Sequence, residues 1–328
     1  MTDMNLDSID QKLLNRMQVK FPMISQPFAG IGQDLGVSED EVIRRIERLK
    51  SGGIIRQIGP LLDAKKINYK TTLVAMRVAE SELEKVTQLL ADYPVSHAYE
   101  RDHYFNLWFT LALPAPADTD DELKRMVSPL KAEACFSLPA IKLFKLRVYF
   151  SSGVDEQAEI TESPKGEIRH PETELSRADR KVINEIQQDL PLLPRPFSDM
   201  AARLEMKEDE FLEQCQALLS RGIIRRFSAS VNHREVGFTA NAMACWAVPN
   251  EKVEPAGQRL ASLQEVSHCY ERRTNPLWKY NLFAMIHGHT REECQKIADK
   301  VSAEMGLPDG ILLFSTREFK KTRLKYPV

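Results

Sequence analysis

The heptapeptide Val95-Ser96-His97-Ala98-Tyr99-Glu100-Arg101 returns later in the chain as Val266-Ser267-His268-Cys269-Tyr270-Glu271-Arg272. The likeness continues outward from it. Upstream, Leu6, Asp10, Lys12, Asn15, Pro22, Pro27, Phe28 and Leu35 recur 169 positions later, beginning at Leu175 and ending at Leu204. Gly53-Ile54-Ile55-Arg56 recurs at the same offset as Gly222-Ile223-Ile224-Arg225. Downstream, Asn106-Leu107 matches Asn281-Leu282, and Phe144-Lys145 matches Phe319-Lys320, at an offset of 175. An offset that grows from 169 through 171 to 175 between fixed blocks is what loop insertions leave in two copies of one fold. The 328 residues are a tandem repeat.

Each copy has two parts. The first is helical by spacing: Leu6, Ile9, Leu13, Leu14 and Met17 share one face. Ser38-Glu39-Asp40-Glu41 reads as a capping box opening a helix with Val42, Ile46 and Leu49 on one side, which Gly52-Gly53 stops. Three helices with a tight second connection predict a helix-turn-helix, or winged-helix-like, unit. In the second part TTLVAMRV (71–78) reads as a strand and Ser81-x-x-Glu84 as the cap of a helix to Ala91. Strands follow at 95–101 and 105–113, then a helix capped by Thr119-x-x-Glu122, then a strand, KLFKLRVYF, at 142–150. The second copy has its own box at Thr290-x-x-Glu293. The order β-α-β-β-α-β predicts a ferredoxin-like unit, so the fold class is α+β. The expected domains are 1–62 and 174–231 (helix-turn-helix), 63–150 and 232–328 (ferredoxin-like), with a linker at 151–173. That linker has six acids, two basic side chains and no apolar periodicity, and His170 reads as an exposed residue of it.

Composition excludes several classes. The net charge of −2 and 43% hydrophobic residues fit neither a disordered acidic chain nor a strongly basic nucleic-acid coat. No apolar run is long enough to span a membrane, and the acidic start MTDMNLDSIDQK is not a secretory signal. Five cysteines with no C-x-x-C argue against disulfides and a zinc site and point to a cytoplasmic protein. His233, His287 and His289 lack a carboxylate or cysteine at ligand spacing, so no metal site of the protein's own is expected.

A helix-turn-helix followed by a ferredoxin-like module resembles the Lrp/AsnC family, through LDSIDQKLLNRM, LGVSEDEVIRRIERLKSGGII and the β-α-β-β-α-β tail. That resemblance implies a transcription regulator, but charge argues otherwise. Residues 205–219 of the second copy carry five acids and one lysine, and residues 38–50 of the first carry four acids and four bases. A recognition helix needs net positive charge to approach phosphates. The segments running from His97 to Phe109 and from His268 to Phe283, with the tail Ser315–Lys321, resemble instead the siroheme decarboxylases. These are built from two Lrp-like subunits, separate or fused.

This resemblance implies a carboxy-lyase that removes CO₂ from two acetate side chains of siroheme. The product is 12,18-didecarboxysiroheme, for the alternative haem and haem d₁ routes. It implies no cofactor, since the substrate carries its own iron. The partners implied are siroheme and its decarboxylated products, with no DNA and no membrane, and the chain is a pseudo-dimeric monomer or a homodimer. His97 and His268 are the expected acid/base pair, because imidazole exchanges a proton near neutrality; either could instead be an axial ligand to the siroheme iron. Strand alternation puts His97, Tyr99 and Arg101 on one face, and likewise His268, Tyr270 and Arg272, with the arginines suited to hold carboxylates. Trp108 and Trp278 are expected to cover the macrocycle, and Tyr104 and Tyr280 to hydrogen-bond at its edge. His103, Arg317 and Lys320 complete the expected substrate contacts. Other readings stand beside these: core packing for the aromatic residues, surface ion pairs for Arg101 and Arg272, and an exposed basic face for Arg317, Lys320 and Lys321. A regulator with an amino-acid or haem-type effector, or a non-catalytic tetrapyrrole sensor or carrier, are the alternative functions.

Overall fold

The computed structural model describes residues 6–91, 93–146, 174–231 and 240–328. The predicted linker with His170, residues 147–150 of the predicted last strand, and His233 lie outside them. The first copy runs α1 (Ser8–Val19), α2 (Pro27–Leu35), α3 (Glu39–Ser51), β1 (Ile55–Leu62), β2 (Tyr69–Arg77), α4 (Val86–Ala91), β3 (Val95–Arg101), β4 (Leu107–Pro114), α5 (Thr119–Leu130) and β5 (Ala134–Leu146). The second repeats the order as α6 (Arg177–Ile186), α7 (Pro196–Arg203), α8 (Glu208–Ser220), β6 (Ile224–Val231), β7 (Ala240–Trp246), α9 (Asn250–Ser262), β8 (Val266–Arg272), β9 (Leu282–Gly288), α10 (Arg291–Met305) and β10 (Gly310–Lys321). No helix among the described residues is long and apolar enough to cross a membrane.

The helix starts differ in detail from expectation. Two full capping boxes form at sites not foreseen, Asp7 with Asp10 and Ser176 with Asp179. Asp10 is fully buried and is neutralised by Arg45 (2.8 Å) and Arg48 (2.5 Å) from α3. The buried Asp179 takes Arg221 at 2.8 Å. These ion pairs explain why the aspartate recurs in both copies, and they tie two arginines of the predicted recognition helix into the domain itself. Only half of the box predicted at Ser38 forms: Ser38 Oγ accepts Glu41 N–H at 3.2 Å, but the Glu41 carboxylate turns to Arg45 at 2.6 Å. Asp118, not Thr119, caps α5, because its carboxylate reaches the amides of Asp120 and Asp121. Ser81 caps nothing: Glu80–Lys85 is a 3-10 helix ahead of α4, with Glu82 drawn to Lys85 and Lys131 and Glu84 to Arg317. At the other end of α3 and α8, Gly53 and Gly222 take φ of 72° and 65°, the left-handed turn that sends the chain from helix into β1 and β6.

All strands pair antiparallel. Within each copy the sheet order is that of a ferredoxin-like unit, β3-β4-β2-β5 and β8-β9-β7-β10. The last strand of each copy is long enough to serve both. β5 pairs with β2 through Ala134–Pro139 and then with β8 of the second copy through Ala140–Leu146. β10 pairs with β7 through Gly310–Phe314 and then with β3 of the first copy through Ser315–Lys321. The two sheets therefore close into one eight-stranded barrel.

The repeated Phe-Lys pair anchors this exchange. Phe144 packs into the core under α9 and Phe319 into the core under α4, each beneath the other copy's helices. Gly257 of α9 leaves room for the Phe144 ring, where a Cβ would stand 2.4 Å from it. Lys145 donates to Leu263 O at the end of α9, and Lys320 donates to Leu90 O (2.7 Å) at the end of α4. The helical domains pair as well: β1 and β6 form a two-stranded sheet, Phe21 N–H donates to Phe227 O at 2.9 Å, and one hydrophobic core spans both.

In the barrel β3 and β8 stand on opposite sides and run in the same direction, so His97 and His268 share one end. The β3–β4 and β8–β9 connections share the other. The histidine end faces the helical domains, since Arg56 of β1 bonds Glu318 and the carbonyl of Lys321 beside it.

Because three strand pairings join the copies, cutting a protease site built into residues 151–173 should leave both halves eluting together in equal amounts on size exclusion. Separation of the halves at micromolar concentration would contradict the exchanged-strand architecture.

Candidate active site

Both histidines sit at β-bulges. On β3, Val95 opposes Leu111 and Ala98 opposes Phe109, so Ser96 and His97 share the place of one partner residue. On β8, Val266 opposes Ile286 and His268 opposes Met285, leaving Ser267 as the extra residue. A bulge re-aims the side chains beside it. Here it turns each serine hydroxyl onto the next histidine: Ser96 Oγ lies 2.8 Å from His97 Nδ1 and Ser267 Oγ 2.6 Å from His268 Nδ1. His97 is exposed to solvent, with Lys321, Glu318 and Arg56 acting on it electrostatically. Desolvation, with help from Lys321 and Arg56, pushes its pKa down to about 4. The ring is therefore neutral at pH 7.

Below the histidines the predicted faces line up. The His268 and Tyr270 rings are 6.5 Å apart and nearly parallel, and the Arg272 guanidinium lies 4.8 Å from the Tyr270 centroid. Arg101 lies 5.6 Å from Tyr99. Arg101 is buried, donating to Leu313 O (2.9 Å) and Ser315 Oγ (3.2 Å); Arg272 is half-buried and donates to Leu138 O (2.9 Å). Neither has a carboxylate in an ion pair, and neither Nε has a hydrogen-bond partner, among the described residues. Burial lowers both pKa values, that of Arg101 to about 10, so Arg101 remains charged at pH 7. Both also act electrostatically on Cys245, buried in the barrel core, so the guanidiniums of the two copies converge on one interior. A buried cation without its counterion is costly, and an arriving carboxylate relieves that cost. Among the described residues, Arg101 and Arg272 form no surface ion pair.

The helical domains add residues that the sequence reading missed. Arg56 acts on His97, and Arg225 on Tyr270. Arg56 is held by Glu318 (2.9 Å) and Arg225 by Asp63 (2.7 Å). The signal was present in the repeated Gly-Ile-Ile-Arg, whose arginine opens β1 and β6. A cavity of about 620 Å³ lies beside this region, lined by Arg56, Tyr69, Val95, Lys320, Arg323 and Lys325 and by none of the His, Tyr or Arg side chains of the two His-x-Tyr-x-Arg strands.

The other expected contacts lie elsewhere. Trp108 and Trp278 are buried at the far end of the barrel, ring centroids 4.9 Å apart, packed with Phe105 and Phe136. His103 meets the edge of Trp278, Tyr280 packs on the same ring, and the exposed Tyr104 lies under Arg77. These aromatic residues plug the end opposite the histidines and offer no open face to a macrocycle beside His97. Arg317 forms a bidentate pair with Glu84, and Lys320 caps α4. Both serve the strand exchange, as Lys142 with Glu254 and Lys145 with Leu263 do in the other half.

Comparison with known proteins adds to this geometry. Residues 66–145 and 235–320 match the AsnC-like ligand binding domain, and residues 10–56 and 179–225 match the siroheme decarboxylase NirDL-like HTH domain. The chain is 38% identical to the siroheme decarboxylase of Hydrogenobacter thermophilus over 96% of this chain and 94% of that one. The chain belongs to the siroheme decarboxylase family. It is also 43% identical, over 46% of its length, to 99% of the siroheme decarboxylase beta subunit of Methanosarcina barkeri. The crystal structure of the siroheme decarboxylase NirDL in complex with an iron-uroporphyrin III analogue superposes with a TM-score of 0.72 at 36% identity, covering 98% of this chain and 95% of that one.

Arg101→Met should leave the ligand-free protein as stable or more stable by about 1–2 kcal/mol, since replacing a buried charge by an apolar side chain of similar size is often neutral or stabilising. The same variant should bind a polycarboxylate ligand at this site about tenfold or more weakly, the worth of one charged hydrogen bond. Thermal melts and absorbance titrations read the two effects. A loss of stability with unchanged affinity would make Arg101 a structural residue.

Proposed function

We propose that this chain removes CO₂ from two acetate side chains of siroheme, giving 12,18-didecarboxysiroheme, with the macrocycle at the histidine end of the barrel. The observation that carries this reading is the pair of arginines below two duplicated histidines, Arg101 buried and Arg272 half-buried, neither with an acid partner among the described residues. Siroheme is rich in carboxylates, and the analogue bound to the NirDL relative is likewise an iron tetrapyrrole.

Each step converts R–CH₂–CO₂⁻ and one proton into R–CH₃ and CO₂. The bond between methylene and carboxyl carbon breaks, its electron pair passes into the conjugated ring of the substrate, and a proton is taken up at the new methyl carbon. Arg101 and Arg272 hold and orient carboxylates, and Arg56 and Arg225 add positive charge from above. His97 and His268 supply protons or bind the iron of the substrate; Tyr99 and Tyr270 line the path between histidine and arginine.

The depressed pKa of His97 fits proton delivery only once substrate has arrived. In the free protein the ring is neutral above about pH 5, given its pKa of about 4. A carboxylate placed beside it stabilises the imidazolium and raises that value. Binding at about pH 6 therefore takes up a proton, which calorimetry in buffers of different ionisation enthalpy detects; His97→Asn should abolish the uptake. Constant binding enthalpy across buffers would remove His97 as the proton carrier.

The direct test is anaerobic incubation with siroheme followed by mass spectrometry of the pigment. Sequential loss of two CO₂ units supports the proposal, and a pigment that co-elutes unchanged makes the protein a sensor or carrier. Loss of a positioned proton donor costs about 10²–10⁴-fold, so His97→Ala and His268→Ala should each slow at least one step on that scale while siroheme still binds. Wild-type rates in both would overturn their assignment.

A further inference from the structure

Behind their mouth-facing rings the two histidines are not equivalent. In the second copy the contact continues inward: Ser267 Oγ lies 2.7 Å from Nε2 of His287, and Nδ1 of His287 is hydrogen-bonded to Oδ1 of Asn241. Ser267 and His287 are both buried. His287 and Asn241 face each other across β7 and β9. The same rung of the first copy pairs Thr71 with Ala112, five residues past Leu107 as His287 is five past Leu282. Ala112 offers no side-chain hydrogen bond, so among the described residues the chain from His97 stops at Ser96.

The polarity of the longer chain is set from its inner end. Asn241 Oδ1 accepts only, so His287 Nδ1 carries the proton that it receives. In the neutral ring His287 Nε2 is then an acceptor and receives a hydrogen bond from the Ser267 hydroxyl, which leaves the serine oxygen to accept from His268 Nδ1–H. We propose that Asn241, His287 and Ser267 are positioning residues that lock His268 as the Nδ1–H tautomer, with its acceptor nitrogen Nε2 toward the barrel mouth, while His97 is not so fixed. The tandem copies are then specialised: one histidine is pre-set with an acceptor nitrogen toward the substrate, and the other is the adaptable proton donor. This rests on the decarboxylase reading for its kinetic consequence, but the tautomer itself does not.

The test uses the full chain with ¹³C-labelled histidine, the His268 signals being assigned by their loss in His268→Asn. The Cδ2 shift should report the Nδ1–H tautomer in the wild type and in His287→Gln, and a changed or mixed state in His287→Leu. Glutamine can accept from Ser267 and donate to Asn241 without titrating, so it separates polarity from packing. In siroheme turnover, His287→Leu should slow one decarboxylation about tenfold or more, the scale of outer-shell hydrogen-bond loss. Singly decarboxylated pigment then builds up while siroheme affinity stays put, and His287→Gln restores the step to within a few-fold. Should His287→Leu not fold, Ser267→Ala reads the same tautomer and the same product ratio. A wild-type His268 in the Nε2–H form, equal slowing of both steps, or a glutamine variant as slow as the leucine one would each overturn the proposal. Failure of the wild type to turn over siroheme would instead overturn the decarboxylase reading and leave the tautomer result standing.

Discussion

The exchange of the last strand between the two copies governs the rest of the structure. A ferredoxin-like sheet ends in an edge strand, and the edge strand here is the one that carries the His-x-Tyr-x-Arg pattern. By reaching past its own sheet, β5 covers the edge of β8 and β10 covers that of β3. Phenylalanine and lysine anchors from each copy fill and cap the helices of the other. The barrel that results is what gives the arginines an interior to be buried in, and its closure fixes both histidines at one end.

Stability and ligand capture pull against each other in that interior. The aromatic half, built on Trp108, Trp278, Phe105 and Phe136, packs as a core and closes one end. The other half carries cationic side chains whose charge the protein leaves largely unanswered. The helical domains, whose α3 arginines are committed to the buried Asp10, act as a scaffold holding Arg56 and Arg225 over the opening. A module built like a DNA reader has its basic residues drawn inward.

Much of this was legible in the sequence. The repeat, the α+β class and the order of elements follow from periodicity and from offsets between matched blocks, and alternation aligned His268, Tyr270 and Arg272. What sequence could not carry was anything set by the partner copy. Arg317 and Lys320 read as ligand contacts because a dense basic tail suggests anions; they meet Glu84 and Leu90 only because β10 crosses over. The tryptophans followed the histidines in sequence by a hairpin's length, which places them at the opposite end of the strand. Bulges at Ser96 and Ser267 have no signature in a single sequence, and helix caps shifted by one residue where an aspartate competed with a threonine at Asp118.

The covalent link between the copies has a consequence for assembly. Free chains with near-identical pairing edges would sort statistically, and half of the pairs would unite like with like. Such pairs would carry two relays or none behind their histidines. Joining the copies in one chain makes the mixed pairing intramolecular and sets its local concentration far above that of any free competitor. Fusion thereby turns a matter of stoichiometry into one of connectivity: every molecule made holds one histidine of each kind.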